Sequence, residues 1–410
     1  MSDETRSNLT REDLEQMLAT AISDHEVTSL TQPGDNMGSV LLAVKVTLKT
    51  GKVFSLVAKM YPENAVAVQV FNSPVTMRKE IDMYTLVAPE FQRIQEDSAV
   101  PPPRRLDVFC TCVAARASRR AGDDGSRLAN DSSVILLENL KSLGYSCTDR
   151  IAGMDLEHAE MVVSHLARFH ATAVAIKTTK PLLFRNKVAK ALNPVKVRLD
   201  DREFEFKMVD GFLEALGRKS PVVLENAEKL AKIFREEMEY KFSDDFRAPL
   251  EPYATITHND LWTNNIMFRH KSSKPAQLKF IDFQLPCLGS PASDLLFFLF
   301  TSTADGIVVE HLDRLLKLYH DSFLQWLGVL GCSTKKYSWD SFVRELSIFS
   351  VQELQHILFM LNIVMMHKED AEKMSEDLRD DNFGGPPELN DDLVQRASQI
   401  VSVYAERGWL

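Results

Sequence analysis

Between His258 and Phe283 the chain carries a spacing of carboxylate and amide side chains suited to moving a phosphoryl group. The run reads His258-Asn259-Asp260-Leu261-Trp262-Thr263-Asn264-Asn265, then an apolar strand, then Phe280-Ile281-Asp282-Phe283. Phosphoryl transfer asks for little covalent help and for much positioning and charge neutralisation. Asp260 is expected to orient an attacking hydroxyl and accept its proton. Asn265, five residues on across a tight loop, and Asp282, on the neighbouring strand, are expected to hold Mg²⁺. That ion takes a few hard oxygen ligands and completes its shell with water and phosphate oxygens. His258 is expected to hydrogen-bond the loop backbone rather than move protons, because Asp260 already fills the role of base. The competing, plainer reading is that these are ordinary loop-capping residues.

The pattern H-x-D-x4-N followed by D-F has the form of a kinase catalytic loop and metal-binding loop, and it sends the search backwards for an ATP site. Lys59 ends the apolar run from Val53 to Ala58, where it could reach the α- and β-phosphates. Such a lysine wants an acidic partner, and the helix that follows offers Glu80. Asp82 sits at a different helical angle, and Tyr84 lies one turn beyond Glu80 on the same face. Gly34, Gly38 and Ser39 form a short loop that could bring backbone N–H groups to phosphate, or a plain hairpin turn. Leu136 to Leu140, with Glu138 and Leu140 as the binding positions, is expected to be the hinge whose backbone pairs with adenine. Asp294 opens a helix after Gly289-Ser290-Pro291. It either complements that helix dipole or accepts N–H groups of the catalytic loop.

These residues need particular elements to hold them. Thr10 and Asp13 open a short helix ending near Ala21. His25 to Leu30, Val40 to Leu48 and Val53 to Met60 alternate as strands. Ser73-Pro74 predicts a helix start, with Ser73 as the cap and Pro74 first in the helix. After the break at Pro101-Pro102-Pro103, strands are expected over Leu106 to Val113 and Val134 to Leu137. From Leu156 onward the periodicity is helical: Leu156 to Ile176, Phe204 to Leu216, Pro221 to Tyr240, Pro291 to Phe300, Val308 to Leu327, Ser338 to Met366 and Asp391 to Glu406. The strand-and-loop island from Thr255 to Gln284 interrupts it. The fold class expected is α+β in two lobes. Residues 1–140 form a small antiparallel-sheet lobe with an inserted helix and a hinge near 136–142. Residues 143–410 form a mainly helical lobe with the catalytic loop, metal loop and acceptor pocket. The pocket is expected among Pro194 to Tyr240 and Phe342 to Met366, where Phe349, Leu358 and Phe359 suit an apolar acceptor.

The chain has 410 residues and a formal net charge of -10. An acidic chain repels nucleic acid and anionic membrane, so neither is an expected partner. The five cysteines are odd in number and scattered. That argues against a disulfide scaffold and for reduced thiols. Cys110 and Cys112 lack a second pair at zinc spacing, and His158, His165 and His170 lack ligand partners, so no zinc site is expected. The polar, acidic start shows no secretory leader. The most apolar stretch, Ile357 to Met366, is shorter than the roughly 20 residues of a membrane span. A cytoplasmic protein is expected, with its oligomeric state open.

Taken together, the residues resemble the insect ecdysteroid kinase-like family, also called CHK kinase-like and related to choline kinases and aminoglycoside phosphotransferases. The resemblance rests on Gly34 to Val44, Ile135 to Tyr145, Asp155 to Ala159, Leu166 to Ala171, His258 to Phe268, and Phe280 to Leu295. It implies ATP- and Mg-dependent phosphorylation of a small alcohol, an ecdysteroid or a xenobiotic. The family usually has glycine where this chain has Asn259. The alternative within the same fold is a catalytically silent relative that binds a small molecule or a partner. A protein kinase is disfavoured, because about a dozen residues separate Asp282 from Asp294, too few for an activation loop and peptide platform.

Overall fold

The computed structural model describes residues 9–30, 38–119, 128–195, 201–367 and 389–410. Gly34 and most of its loop lie outside them.

The N-terminal part is built on alternation. Helix α1 (Arg11–Leu18) starts at a capping box in which Thr10 and Asp13 satisfy each other's backbone N–H groups. Strands β1 (Ile22–Ser29), β2 (Val40–Leu48), β3 (Val53–Met60), β4 (Cys112–Arg116) and β5 (Val134–Glu138) form one antiparallel sheet in the order β1-β2-β3-β5-β4. One face buries Leu42, Val44, Val46, Leu56, Ala58, Met60, Val134 and Leu136 with Leu9 and Leu14, a small core of its own. Successive residues point to opposite faces of a strand. Lys59, between Ala58 and Met60, therefore points the other way, toward the main core.

Between β3 and β4 the chain is helical: α2 (Ala65–Val70), α3 (Ser73–Asp82) and α4 (Ala88–Asp97). The cap of α3 is Asn72, in left-handed backbone at φ 47°, so Ser73 is already inside the helix and is not its cap. A wider turn over Met83–Val87 joins α3 to α4, with the Ala88 N–H donating to the Met83 carbonyl. Pro89, which has no N–H to donate, accounts for that widening. The strand expected from Leu106 is shorter than expected. Val108 and Phe109 instead run beside Phe280, whose N–H donates to Val108 at 2.8 Å, and the sheet strand begins only at Cys112.

After the two-residue strand β6 (Tyr145–Ser146), the rest is mainly helical: α5 (Leu156–Thr179), α6 (Pro181–Asn186), α7 (Arg202–Lys219), α8 (Pro221–Glu225), α9 (Ala227–Phe242), α10 (Pro291–Ser302), α11 (Ile307–Val329), α12 (Trp339–Met365) and α13 (Asp391–Glu406). The helix expected from Pro221 to Tyr240 breaks at Asn226, whose side chain donates to the Val222 carbonyl at 2.9 Å. Every residue of α10 is buried. Helix α12 is long and apolar enough to cross a membrane by length and composition. Its Phe342, Leu346, Leu354, Leu358 and Leu361 lie in the protein core, as a central helix of a packed lobe would place them. The island supplies two small sheets. Strands β7 (Thr255–Thr257) and β10 (Cys287–Gly289) pair with each other, and β8 (Ile266–Lys271) pairs with both β6 and β9 (Lys274–Phe280).

Gly153 fixes how the chain enters this lobe. Its φ is +71°, and a Cβ there would lie 2.6 Å from the Thr303 carbonyl oxygen. On either side of that contact the Met154 N–H donates to Ser302 and the Ala304 N–H to Met154, each at 2.8 Å. Gly153→Ala should therefore cost about 1–3 kcal/mol of stability through a backbone clash, read as a lower urea midpoint at unchanged m.

Candidate active site

The centre of the site is a buried cation between two carboxylates. Lys59 sits mid-sheet, paired with Leu41 on one side and Ile135 on the other. Its Nζ lies 2.7 Å from Glu80 Oε2 and 2.7 Å from Asp282 Oδ1. Glu80 is fully buried on α3. Asp82 turns away to Arg78 at 3.0 Å. Burial pulls the Lys59 ammonium down, but Asp282 and Glu80 outweigh it and hold it above its ordinary value. Burial pushes the Glu80 carboxyl up to about 7 against the pull of Lys59. Two carboxyl groups thus share one ammonium.

Asp282 has a left-handed backbone, φ 65°. The turn aims its carboxylate at Lys59 while Phe283 drops into the core, edge-on to Tyr84 at 5.8 Å and 4.7 Å from the His258 ring. Tyr84, one turn beyond Glu80, packs against this turn through Phe283.

The loop after β7 is pinned at its backbone. The His258 and Asn259 N–H groups donate to Asp294 Oδ2 and Oδ1 at 2.6 and 2.8 Å. His258 Nε2 bonds the Ile281 carbonyl at 2.9 Å, so its Nδ1 is the unprotonated nitrogen. Burial keeps the ring below its ordinary value, that is, neutral. Asp294 stands in the first turn of α10, yet its oxygens go to the loop and to His170 Nε2 at 3.1 Å. Burial alone would raise its carboxyl, but His170, then His258, hold it low and ionised. The other ring nitrogen of His170, Nδ1, lies in hydrogen-bond contact with the Tyr319 hydroxyl at 2.7 Å. Sequence reasoning set His170 aside as a metal ligand and did not find this buttress. The available signal was a histidine on the same helical face as Val163 and Leu166, where a buried polar group must find partners.

Asn265 closes the loop. Its Nδ2 donates to the Asp260 carbonyl at 2.8 Å and to Asp260 Oδ2 at 2.9 Å, which leaves its amide oxygen as a hard donor. The Ile281 N–H donates to the Asn265 carbonyl at 3.0 Å, tying the two loops together. Burial raises the Asp260 carboxyl well above the ordinary range, and the nearby Asp282 carboxylate adds to it. Among the described residues no three His, Cys, Asp or Glu gather as metal ligands. One carboxylate and one amide oxygen fit an ion that keeps water and phosphate oxygens in its shell, which is the habit of Mg²⁺.

The remaining expected positions divide. Gly38 lies where a Cβ would be 3.7 Å from both the Gln284 side chain and Phe71, beside the turn that carries Asp282, and Ser39 is buried next to it. The Glu138 N–H donates to the Thr111 carbonyl at 2.9 Å and the Asn139 N–H to Ser55 at 3.0 Å. The Glu138 amide is thus taken up by the sheet, and Leu140 is the first residue past it. A polar cavity of about 540 Å³ is lined by Arg185, Asn186, Ala189, Lys190 and Asn193, just ahead of the expected acceptor region. The Asn193 carbonyl accepts from Lys79, the neighbour of Glu80, at 2.7 Å. Phe349 and Leu358 are buried, and Phe359 is exposed.

A model of the ecdysteroid kinase-like family matches residues 33–332. A comparison with curated proteins finds no match. Among solved structures, a spectinomycin phosphotransferase in complex with ADP and spectinomycin is 11% identical, with 95% of this chain and 97% of that one covered and a TM-score of 0.42. An ethanolamine kinase of Plasmodium vivax is 12% identical, with 87% and 81% covered and a TM-score of 0.39.

Proposed function

Since the chain belongs to the ecdysteroid kinase-like family, we propose that it is a small-molecule kinase that transfers the γ-phosphate of ATP, with Mg²⁺, to a hydroxyl group of a small alcohol such as an ecdysteroid or a xenobiotic. The observation that carries this reading is the cation of Lys59 held 2.7 Å from both Glu80 and Asp282, with Asp260 and Asn265 hydrogen-bonded at 2.9 Å in the next loop.

Each residue then has a part. Residues 1–140 hold the nucleotide, and 143–410 hold the acceptor. Leu140, just beyond the sheet at the hinge, offers backbone to adenine. Gly34, Gly38 and Ser39 cover the phosphates. Lys59, fixed by Glu80, donates to phosphate oxygens. Asp282 and the Asn265 amide oxygen hold Mg²⁺, which would neutralise charge on the phosphate oxygens. Asp260 orients the acceptor hydroxyl and takes its proton as the new O–P bond forms and the bond to the β-phosphate breaks. Asp294 and His258 hold the loop. The five cysteines are free thiols, in keeping with a cytoplasmic site of action.

The test is a γ-phosphate transfer screen over sterols, phenols and amino alcohols, run on wild type and Asp260→Asn. Loss of a positioned base should lower transfer roughly 10²–10⁴-fold while Mg-dependent stabilisation by ATP persists. Equal turnover in both would remove Asp260 from its role. No Mg-dependent shift in wild type would favour the silent relative. The base works ionised and its carboxyl is raised. Transfer should therefore fall away on the acid side at a pH above the ordinary aspartate range of about 4, which a kcat/KM profile reads.

A further inference from the structure

Asn259 does more than separate His258 from Asp260. Its φ is +62°, a left-handed backbone that glycine adopts freely and asparagine tolerates. A glycine would satisfy that backbone. The side chain adds two contacts glycine could not make: Nδ2 donates to the Leu285 carbonyl at 3.1 Å and to Cys287 Sγ at 3.0 Å. Both acceptors lie in the segment that follows Asp282, three and five residues on. Cys287 also meets Thr257 Oγ1 at 3.3 Å, on the strand that leads into the loop. Burial pushes the Cys287 thiol up, so the sulfur stays neutral.

We infer that Asn259 is a positioning residue: a clasp that sets the catalytic loop against the segment carrying the metal-binding aspartate, and so fixes Asp260 relative to Asp282. The geometry carries it. Asp294 holds the loop backbone from the α10 side, and Asn259 holds it from the side of residues 285–287. Asp260 is the next residue along. Asp282 lies three residues before Leu285, close enough for its charge to raise the Asp260 carboxyl. Two carboxylates that must serve one metal–phosphate group repel each other without the metal. A link between their loops keeps them from drifting apart.

This inference rests on the phosphotransfer reading, so one of its measurements avoids that chemistry. Asn259→Gly keeps the backbone geometry and removes both bonds. Asn259→Asp keeps size and left-handed tolerance but sets an acceptor against the Leu285 carbonyl. Cys287→Ser keeps a polar partner for Nδ2. Three readouts suffice: the melting midpoint, amide exchange of the 258–265 and 282–289 peptides without nucleotide, and the magnesium concentration that half-saturates ATP binding. Two lost hydrogen bonds predict a half-saturating magnesium raised on the order of tenfold in Asn259→Gly, at least as much in Asn259→Asp, and near wild type in Cys287→Ser. Exchange in both peptides should quicken while the midpoint holds. A lower midpoint with unchanged magnesium response would make Asn259 merely structural and overturn the inference, as would unchanged exchange and unchanged magnesium response. If wild type shows no magnesium-dependent binding while the exchange difference persists, the phosphotransfer reading fails and the clasp stands.

Discussion

Asp282→Asn should reduce phosphoryl transfer by about 10⁴-fold or more, equivalent to ~5.4 kcal/mol of barrier, without weakening the protein that lacks nucleotide. The two halves of this expectation have different causes. Asparagine tolerates the left-handed φ of 65° at this position, so the loop keeps its path. The Lys59 cluster has two carboxylates for one ammonium. Removing the Asp282 charge leaves Lys59 paired with Glu80 alone and relieves Asp260 and Glu80, both of which Asp282 pushes upward. The melting midpoint without ligand should therefore hold or rise. With Mg·ATP, the stabilisation that wild type gains should vanish, because a neutral amide is a far poorer ligand for a hard dication. Paired thermal melts with and without Mg·ATP, beside a transfer assay, check both halves. A variant that kept the Mg-dependent shift would place the metal elsewhere.

Lys59→Met should be the most damaging single change to stability, at about 3–5 kcal/mol, because it leaves a fully buried Glu80 without its cation. Wild-type Glu80 is already raised to about 7 by burial, and without Lys59 it rises further. A carboxyl whose folded value lies above its unfolded value binds a proton in the folded state first, so stability falls as pH rises through that interval. The deficit of Lys59→Met should thus be small near pH 4.5 and grow as pH climbs past 7. Adding Glu80→Gln should return most of the stability and none of the nucleotide binding. Denaturant titrations at several pH values, with nucleotide calorimetry on the double variant, distinguish the two. A deficit independent of pH would mean that lost packing, not a stranded charge, dominates.

Much of this was legible in the residues because local rules and global placement agree. Alternation fixed the limits of β2 and β3 and sent Lys59 to the opposite face from Ala58 and Met60. Helical angle chose Glu80 over Asp82, which pairs with Arg78. The spacing from His258 to Asp282 named residues that the structure brings into two loops tied to each other. What stayed hidden depends on contacts made across the fold. Ser73 has the profile of a cap, yet its neighbour Asn72, a residue that tolerates the left-handed backbone found there, takes that position. The Val108–Phe109 segment has strand character, but whether it joins the sheet or lies along Phe280 depends on the other lobe. The Glu138 amide has the sequence position of a hinge contact and is claimed by Thr111. His170 shows no ligand pattern because its partners, Asp294 and Tyr319, are distant in sequence and come from two other helices.

The small outer core has an effect beyond its own area. Leu14 on α1 and Leu56 and Ala58 on β3 share it, and Lys59 projects from the same strand to the reverse face. Whatever loosens α1 from the sheet lets β3 shift, and a shift of β3 moves the ammonium relative to its two carboxylates. Residues far from that cluster thereby gain a say in how firmly Lys59 is held between Glu80 and Asp282. Variation at positions such as Leu14 would adjust that placement by degrees, leaving every residue of the cluster as it is.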